Sequence, residues 1–397
     1  MFRRCLIQCA ECLFFFCSAI RDYFVIVQKQ FNAVKYVKAL VVALMFYPGA
    51  ALSHVKWFVD SNRDVIALDN NVAVYFFVWA LIAVGVVAVG VLLEKKWCQR
   101  FSYKRDNDTM VFEHGVASIF SVLLGVYFLY SSYSGFLFSI NLDNVGQWHA
   151  ALVAVETFVG VSFLLGIGVR QSSIVFLMLW GFSFFYVGVL NTLENLELFG
   201  AAIFTLIYGR RYIRYTQEDI GPAGLLLAAR QYGVPVLRVV LGLNLILLGF
   251  SEKILRPDLG LAFLDQYSWN FMKNYGVHWY SDGLFVFSAG AVEIILGLVL
   301  VLGLLTRLCA AVIAIVLLIP SFFMGPSELW GHIPHLSIVA VLILFGAGEK
   351  LKILQDRWLM PLASIGRLAV RVERKKVRRS SLMHPMPPAN RSISAKE

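Results

Sequence analysis

Residues Leu284 to Arg307 read LFVFSAGAVEIILGLVLVLGLLTR. The run is apolar for almost its whole length, and at about 1.5 Å rise per residue it is long enough to cross the ~30 Å hydrocarbon layer as a helix. A single carboxyl, Glu293, lies near its middle; Gly297 and Gly303 follow, and Arg307 closes it. An ionisable group at that depth is costly and faces a packed interior or a cavity. The stretch therefore predicts a transmembrane helix with one specialised face.

The remaining sequence has the same character. The chain has 397 residues, 59% of them hydrophobic and 15% charged, with a mean hydropathy of +0.72. Soluble domains run at about 45–50% apolar and about 25% charged. The chain reads as an integral membrane protein, which excludes a soluble enzyme, a disulfide scaffold and a disordered protein. The net charge of +10 is concentrated in one place: residues 350–397 hold twelve Lys and Arg against Asp356, Glu373 and Glu397, giving +9. The partners this implies are anionic lipid headgroups on the cytoplasmic leaflet, not nucleic acid. From Ser380 onward the tail has no apolar periodicity and reads as disordered.

Cut at charges and turn residues, the apolar runs are Tyr36–Ser53, Val72–Leu93, Val116–Phe138, Ala150–Val169, Ser173–Leu190, Leu196–Gly209, Val234–Leu255, Leu284–Leu305, Leu308–Met324 and Leu336–Gly346. Cytoplasmic connections are enriched in Lys and Arg. Lys95, Lys96, Arg100, Lys104 and Arg105 place the connection after the second run inside, and alternate connections carry Arg170, then Arg210, Arg211 and Arg214, then Arg307, then the C-terminal tail. The opposite connections Ile140–His149 and Asn191–Asn195 have no Lys or Arg. This predicts an inner (plasma) membrane protein with a cytoplasmic C-terminus.

The first run has two readings. Lys35 and Lys38, the apolar Ala39–Tyr47, the breakers Pro48 and Gly49 and the small Ala51 and Ser53 follow the order of a signal peptide. Cleavage after Ser53 would make His54 the N-terminus. The long apolar leader Met1–Val34 instead favours an anchor helix.

Internal repetition organises the remainder. Glu156, Gly160, Gly166 and Arg170 map onto Glu293, Gly297, Gly303 and Arg307 at one offset, 293 − 156 = 137, which also carries Gly188 onto Gly325 and Gly209 onto Gly346. At 242 − 125 = 117, Gly125 falls on Gly242 and Ser134 on Ser251. Four crossings return the chain to its starting side, so the copies are expected to be parallel. The expected architecture is all-α and polytopic, two parallel four-helix repeats preceded by one or two transmembrane helices. Its segments are a leader (1–35), a signal-like or anchor helix (36–53), an outer segment with a helix and a basic loop (54–113), the repeats (114–215 and 230–350) and a basic, partly disordered tail (351–397).

The Glu293, Gly297, Gly303 and Arg307 spacing, preceded by Arg238, Gly242 and the helix end Gly249-Phe250-Ser251-Glu252-Lys253, resembles the DoxX family of small four-helix membrane proteins. The first copy keeps Glu156, its glycines and Arg170, but has Ser121 where Arg238 stands. The resemblance implies membership of a membrane-bound oxidoreductase assembly, including quinone-reducing ones. It carries over no catalytic residue.

Within the spans, Glu156, Glu293, Arg238, Glu252 and Lys253 are the polar candidates. Each glutamate either fixes helix packing or, with its pKa raised by desolvation, transfers protons. A second constellation lies at the outer end of each fourth helix, where Glu194 and Glu197 in one copy face His332 and His335 in the other. The i, i+3 spacing places each pair on one helix face, although Pro334 is a helix breaker. Imidazole and carboxylate together suit a transition metal or a proton relay, and a processed His54 would add a copper-chelating N-terminus. The Cys5, Cys9 and Cys12 spacing sits in an apolar run without the context of a cluster or redox motif. The connection Ile254–Gly283, with Trp269, Tyr275, Trp279 and Tyr280, has the aromatic content of a docking surface. Three functions remain open: a quinone-linked redox subunit, a metal-handling protein, and a scaffold for a periplasmic partner.

Overall fold

The computed structural model describes residues 72–97, 107–143, 146–209, 223–324 and 328–354. The signal-like run, His54, the cysteine-rich leader and nearly all of the basic tail lie outside the described residues. The described residues up to Lys352 form one compact unit, and residues 353–354 fall in a second.

The elements are α1 (Val72–Trp97), α2 (Asn107–Tyr133), a hairpin of β1 (Phe136–Leu137) and β2 (Ser139–Asp143), α3 (His149–Leu165), α4 (Val169–Tyr186), the single turn α5 (Val189–Leu193), and α6 (Leu196–Tyr208). They continue with α7 (Ala223–Leu248), a π-helical turn (Gly249–Ile254), α8 (Pro257–Tyr267), α9 (Phe271–Asn274), α10 (Asp282–Leu302), α11 (Thr306–Met324) and α12 (Glu328–Phe345). The described chain is thus all-helical apart from one short hairpin. Val72–Lys96, Glu113–Tyr133, Ala229–Ile254 and Asp282–Leu302 are long and apolar enough to cross a bilayer, and four further apolar helices are shorter. This is an integral membrane protein.

Local chemistry sets the ends of the central helix. Ser281 Oγ accepts the Leu284 N–H at 3.1 Å, Asp282 occupies the first turn, and Gly303 ends α10 at φ 73°, where a side chain would be strained. Pro257 opens α8 at the first helical position, where its missing N–H has no intrahelical role.

Two groups of helices pack in the same order, α2–α3–α4–α6 and α7–α10–α11–α12. They meet along a seam where α6 lies on α7 and α2 on α12. Without a hydrophobic driving force between helices in lipid, close contact depends on small residues. A Cβ on Gly125 would lie 2.8 Å from Gly160 O, and one on Gly242 would lie 2.7 Å from Gly297 O, so the α2/α3 and α7/α10 crossings require glycine. Helix α1 packs on α10 through Tyr75 and Phe287, with ring centroids 6.1 Å apart, and its Glu94 Oε2 accepts the Leu305 N–H at 3.0 Å. The rest of α1, including Phe76, Phe77, Leu81 and Leu92, is exposed and suited to lipid.

Several boundaries differ from the sequence reading. The third run was expected to stay helical to Phe138, but α2 stops at Tyr133 and the chain turns into the hairpin. The tenth run starts eight residues early, at Glu328, because α12 continues through Pro334; a proline inside a membrane helix is tolerated where neighbours satisfy the freed carbonyl. Glu194 and Glu197 do not share one continuous helix. The backbone breaks at Asn195 (φ −106°, ψ 33°), with Glu194 ending α5 and Glu197 in the first turn of α6.

Candidate functional site

The strongest charge constellation is in the second helix group. Lys253 Nζ lies 2.9 Å from both carboxylate oxygens of Glu293, with the two side chains 2% and 1% exposed. Removing two charges from water is costly, and their attraction offsets that only with close geometry. The π-helical turn supplies the geometry by swinging Lys253 toward α10, and such turns recur at functional sites. Small residues permit the approach: a Cβ on Gly290 would lie 2.9 Å from Lys253 Cβ, and one on Gly249 would lie 3.0 Å from Glu293 Cβ. Glu252 is buried on the same turn.

A structured cap covers the pair. Leu259, Phe263 and Leu264 of α8 pack on Phe285 and Val286 of α10. Arg256 holds Asp258 at 2.8 Å, and the Asp258 carboxylate keeps the guanidinium above its usual range. Asn270 Nδ2 donates to Asp282 Oδ1 at 2.7 Å and to Tyr280 O at 3.1 Å, and Lys273 reaches Asp282 at 2.6 Å. The cap is therefore fixed by polar contacts at both ends. It leaves Tyr275 (79%) and Trp279 (76%) exposed.

Arg238 is fully buried at the opposite end of α10. Its Nη1 donates to Leu300 O and, at 2.7 Å, to Val301 O; Nη2 donates to Leu351 O at 2.5 Å and Nε to Ala347 O at 3.2 Å. Helix C-termini leave carbonyls without intrahelical partners, and a cation there also complements the helix dipole. Arg307 does the same for α12, donating to Ile343 O and Leu344 O, each at 3.2 Å. Beside Arg238, burial pulls the Lys352 ammonium below the ordinary lysine range, with Glu94 opposing that and Arg238 adding to it.

In the first helix group Glu156 takes a different partner. Its Oε2 accepts the Phe138 N–H at 3.0 Å, while Oε1 is buried with no hydrogen bond among the described residues. Phe138 is fully buried at φ 65°, a rare conformation for a bulky residue, and its carbonyl accepts from the Tyr127 hydroxyl. The hairpin thus inserts a strained peptide between Tyr127 of α2 and Glu156 of α3.

The four residues of the second constellation are each at least 95% buried: Glu194 at the end of α5, Glu197 on α6, and His332 and His335 on α12. Asn244 of α7 stands among them, its Nδ2 donating to Glu194 O at 2.8 Å and its Oδ1 3.4 Å from His335 Nε2. Trp330 stacks on Tyr130 at 4.9 Å nearby.

Comparison with known families matches residues 233–326, from α7 to just past α11, to the DoxX model. That stretch of this membrane protein resembles a DoxX domain. No curated protein and no solved structure matches the chain. The matched segment contains Arg238, the π-helical turn, Glu293 and the cap; the first helix group lies outside it.

Two groups suggested by the sequence can be tested against this geometry. A quinone carbonyl would find a donor in Lys253 and aromatic walls in Phe263 and Phe285. The cavity bounded by those residues with Gly260, Val286 and Ala289 measures only about 10 Å³, room for a single water. A cavity that takes up one benzene ring is about 150 Å³, so a quinone ring does not fit here. A transition metal would suit the donors of Glu194, Glu197, His332 and His335, but among the described residues no three His, Cys, Asp or Glu side chains converge to hold one. The sequence reading missed Tyr127, Phe138 and Asn244. Tyr127 and Asn244 sit at corresponding positions, 244 − 127 = 117, an offset that marks both; no signal marks Phe138.

Proposed function

We propose that this DoxX-like protein is a non-catalytic membrane subunit of a redox-linked complex, and that its cap, residues 255–281, is the docking surface for a partner protein that carries the redox chemistry. The observation behind this reading is the locked cap. A fully buried ion pair, Lys253–Glu293, fixes the turn on which α8 and α9 are built, and Tyr275 and Trp279 project from it. Aromatic residues presented on a rigid frame dominate interface energetics because little entropy is lost when they are covered. The redox character of the partner follows from the family resemblance alone. On the positive-inside distribution of Lys and Arg, the cap faces the periplasm.

The test is purification of the full chain from its native membrane in mild detergent, with co-purifying proteins and quinone identified by mass spectrometry. A redox protein at near-equal stoichiometry is expected with the unaltered chain, and its loss with Tyr275→Ala/Trp279→Ala. A chain that purifies alone, or a partner retained by the double variant, overturns the reading.

We further propose that the two helix groups are tandem copies. Three correspondences support this. The glycine crossings of α2/α3 and α7/α10 fall at matching positions. Ser121 Oγ donates to Phe163 O at 3.1 Å where Arg238 donates to Leu300 O, and 300 − 163 = 137. Arg170 Nη2 donates to Ile207 O as Arg307 does to Leu344 O, and 344 − 207 = 137.

A further inference from the structure

At the end of α10 that carries Gly303, several elements bring their charges to one place. A Cβ on Gly303 would lie 2.9 Å from Arg238 Nη1 of α7 and 3.3 Å from Lys352 Cγ, so the guanidinium and the lysine stem flank the same glycine. Two residues on, Glu94 Oε2 of α1 accepts the Leu305 N–H at 3.0 Å, and α1 then ends in the exposed Lys95 and Lys96. Arg307 in the first turn of α11 reaches Gly346, where a Cβ would lie 3.4 Å from its Cζ, and Glu349 and Lys350 precede Leu351 and Lys352. Arg238 Nη2 in turn donates to Leu351 O.

The cations are not equivalent. Arg238 and Arg307 commit their donors to helix carbonyls. Lys352 is half-buried, and among the described residues no carboxylate or carbonyl receives its ammonium. A charge withdrawn from water is ordinarily paired. The start of α11 adds neutral donors. Its first helical bond from a side beyond the turn is Cys309 N–H to Leu305 O, so the N–H groups of Thr306, Arg307 and Leu308 have no intrahelical acceptor, and the helix dipole favours an anion there. Thr306 is 4% exposed, and its Oγ1 has no hydrogen bond among the described residues. A buried hydroxyl in that condition calls for an acceptor. Apolar surface flanks the charges, since Leu92 of α1 and Leu351 are exposed.

We propose that Lys352, Thr306 and the start of α11 hold the phosphate of one anionic phospholipid, whose acyl chains lie along the exposed side of α1. Lys95 and Lys96 add to the attraction. Basic pockets between membrane helices take lipid headgroups in this way. The negative phosphodiester balances the Lys352 ammonium, and its oxygens accept from the Thr306 hydroxyl. A lipid fits better than a soluble anion because the donors lie where a membrane helix ends and exposed leucines adjoin them. The basic tail attracts an anionic surface in general, whereas this cluster selects a single headgroup. The site lies at the opposite end of α10 from the cap and does not depend on the docking reading.

The test is native mass spectrometry of the full chain, purified in mild detergent, stripped of lipid and titrated with dioleoylphosphatidylglycerol or dioleoylphosphatidylcholine. One phosphatidylglycerol is expected to be retained at concentrations where phosphatidylcholine is not. Lys352→Gln is expected to weaken that binding about fivefold. Thr306→Val, which keeps charge and shape, is expected to weaken it about tenfold, and Lys352→Arg to preserve it. Unchanged helical circular dichroism confirms that each variant is folded. Binding that neither Lys352→Gln nor Thr306→Val alters would mean that the tail alone recruits the lipid, and it overturns the proposal. Equal retention of the two lipids does the same. Displacement of the lipid by excess inorganic phosphate would reveal a soluble-anion site and overturn the assignment to a lipid.

Discussion

A buried charge is judged by what remains when its partner is removed. Lys253 and Glu293 are almost fully buried and in contact through both carboxylate oxygens. Glu293→Gln leaves an ammonium uncompensated in an apolar bundle, a loss of about 3–5 kcal/mol. The double variant Lys253→Met/Glu293→Met removes both charges and is expected to lie within about 1 kcal/mol of the unaltered chain or above it. Thermal unfolding in detergent checks this, and a double variant as unstable as the single one would mean that the pair contributes more than charge balance. The same reasoning separates Arg238 from Ser121. Arg238 satisfies four carbonyls and Ser121 one. Hydrogen bonds from charged donors are worth about 1.5–3 kcal/mol each, and neutral ones about 1. Arg238→Met is expected to cost more than about 3 kcal/mol and Ser121→Ala about 1, read from the same melting curves.

Helix crossings are set by a few glycines, and the sequence shows only some of the reasons. A Cβ on Gly297 would collide with Gly242 O, so Gly297→Ala forces α7 and α10 apart. Nothing lies within 4 Å of a Cβ on Gly181 in α4. Overpacking costs about 1–3 kcal/mol, whereas alanine in an open helix interior gains up to about 1 relative to glycine. Gly297→Ala is therefore expected to lower the melting temperature and Gly181→Ala to leave or raise it; equal effects would mean that the crossing is not glycine-limited. The repeat offset marked Gly297 and its counterparts from sequence alone. Hydropathy likewise located the cores of the described spans, because hydrocarbon thickness imposes a length that can be counted. It located the ends less well. Nothing in the apolar run up to Phe138 signals that α2 stops at Tyr133, since the hairpin is held by tertiary contacts to Tyr127 and Glu156. The break at Asn195 is equally silent. The buried fate of Glu194, Glu197, His332 and His335 was visible only as a pattern, because helix rotation depends on neighbours that hydropathy does not report.

At the scale of the whole molecule the two ends of the bundle differ in charge, and that difference predicts which side each faces. At the end of α10 that carries Gly303 lie Arg307 and Lys352, with Lys95 and Lys96 ending α1, whose Glu94 bonds to Leu305. At the other end, Arg256 and Lys273 are each neutralised by an aspartate, Asp258 and Asp282. Translocation disfavours unpaired Lys and Arg, so the end at Gly303 is expected on the cytoplasmic side and the cap on the outer side. Tyr275 and Leu351 are exposed positions at the two ends, separated by α10, whose 21 residues span about 31 Å. In a chain whose six cysteines have been replaced by serine, Tyr275→Cys is expected to react with a membrane-impermeant maleimide added to spheroplasts, and Leu351→Cys only after the membrane is inverted. The opposite pattern would place the cap in the cytoplasm and exclude a periplasmic partner at Trp279. Labelling of both positions from one side would mean that α10 does not cross the bilayer, and the fold itself would have to be reread.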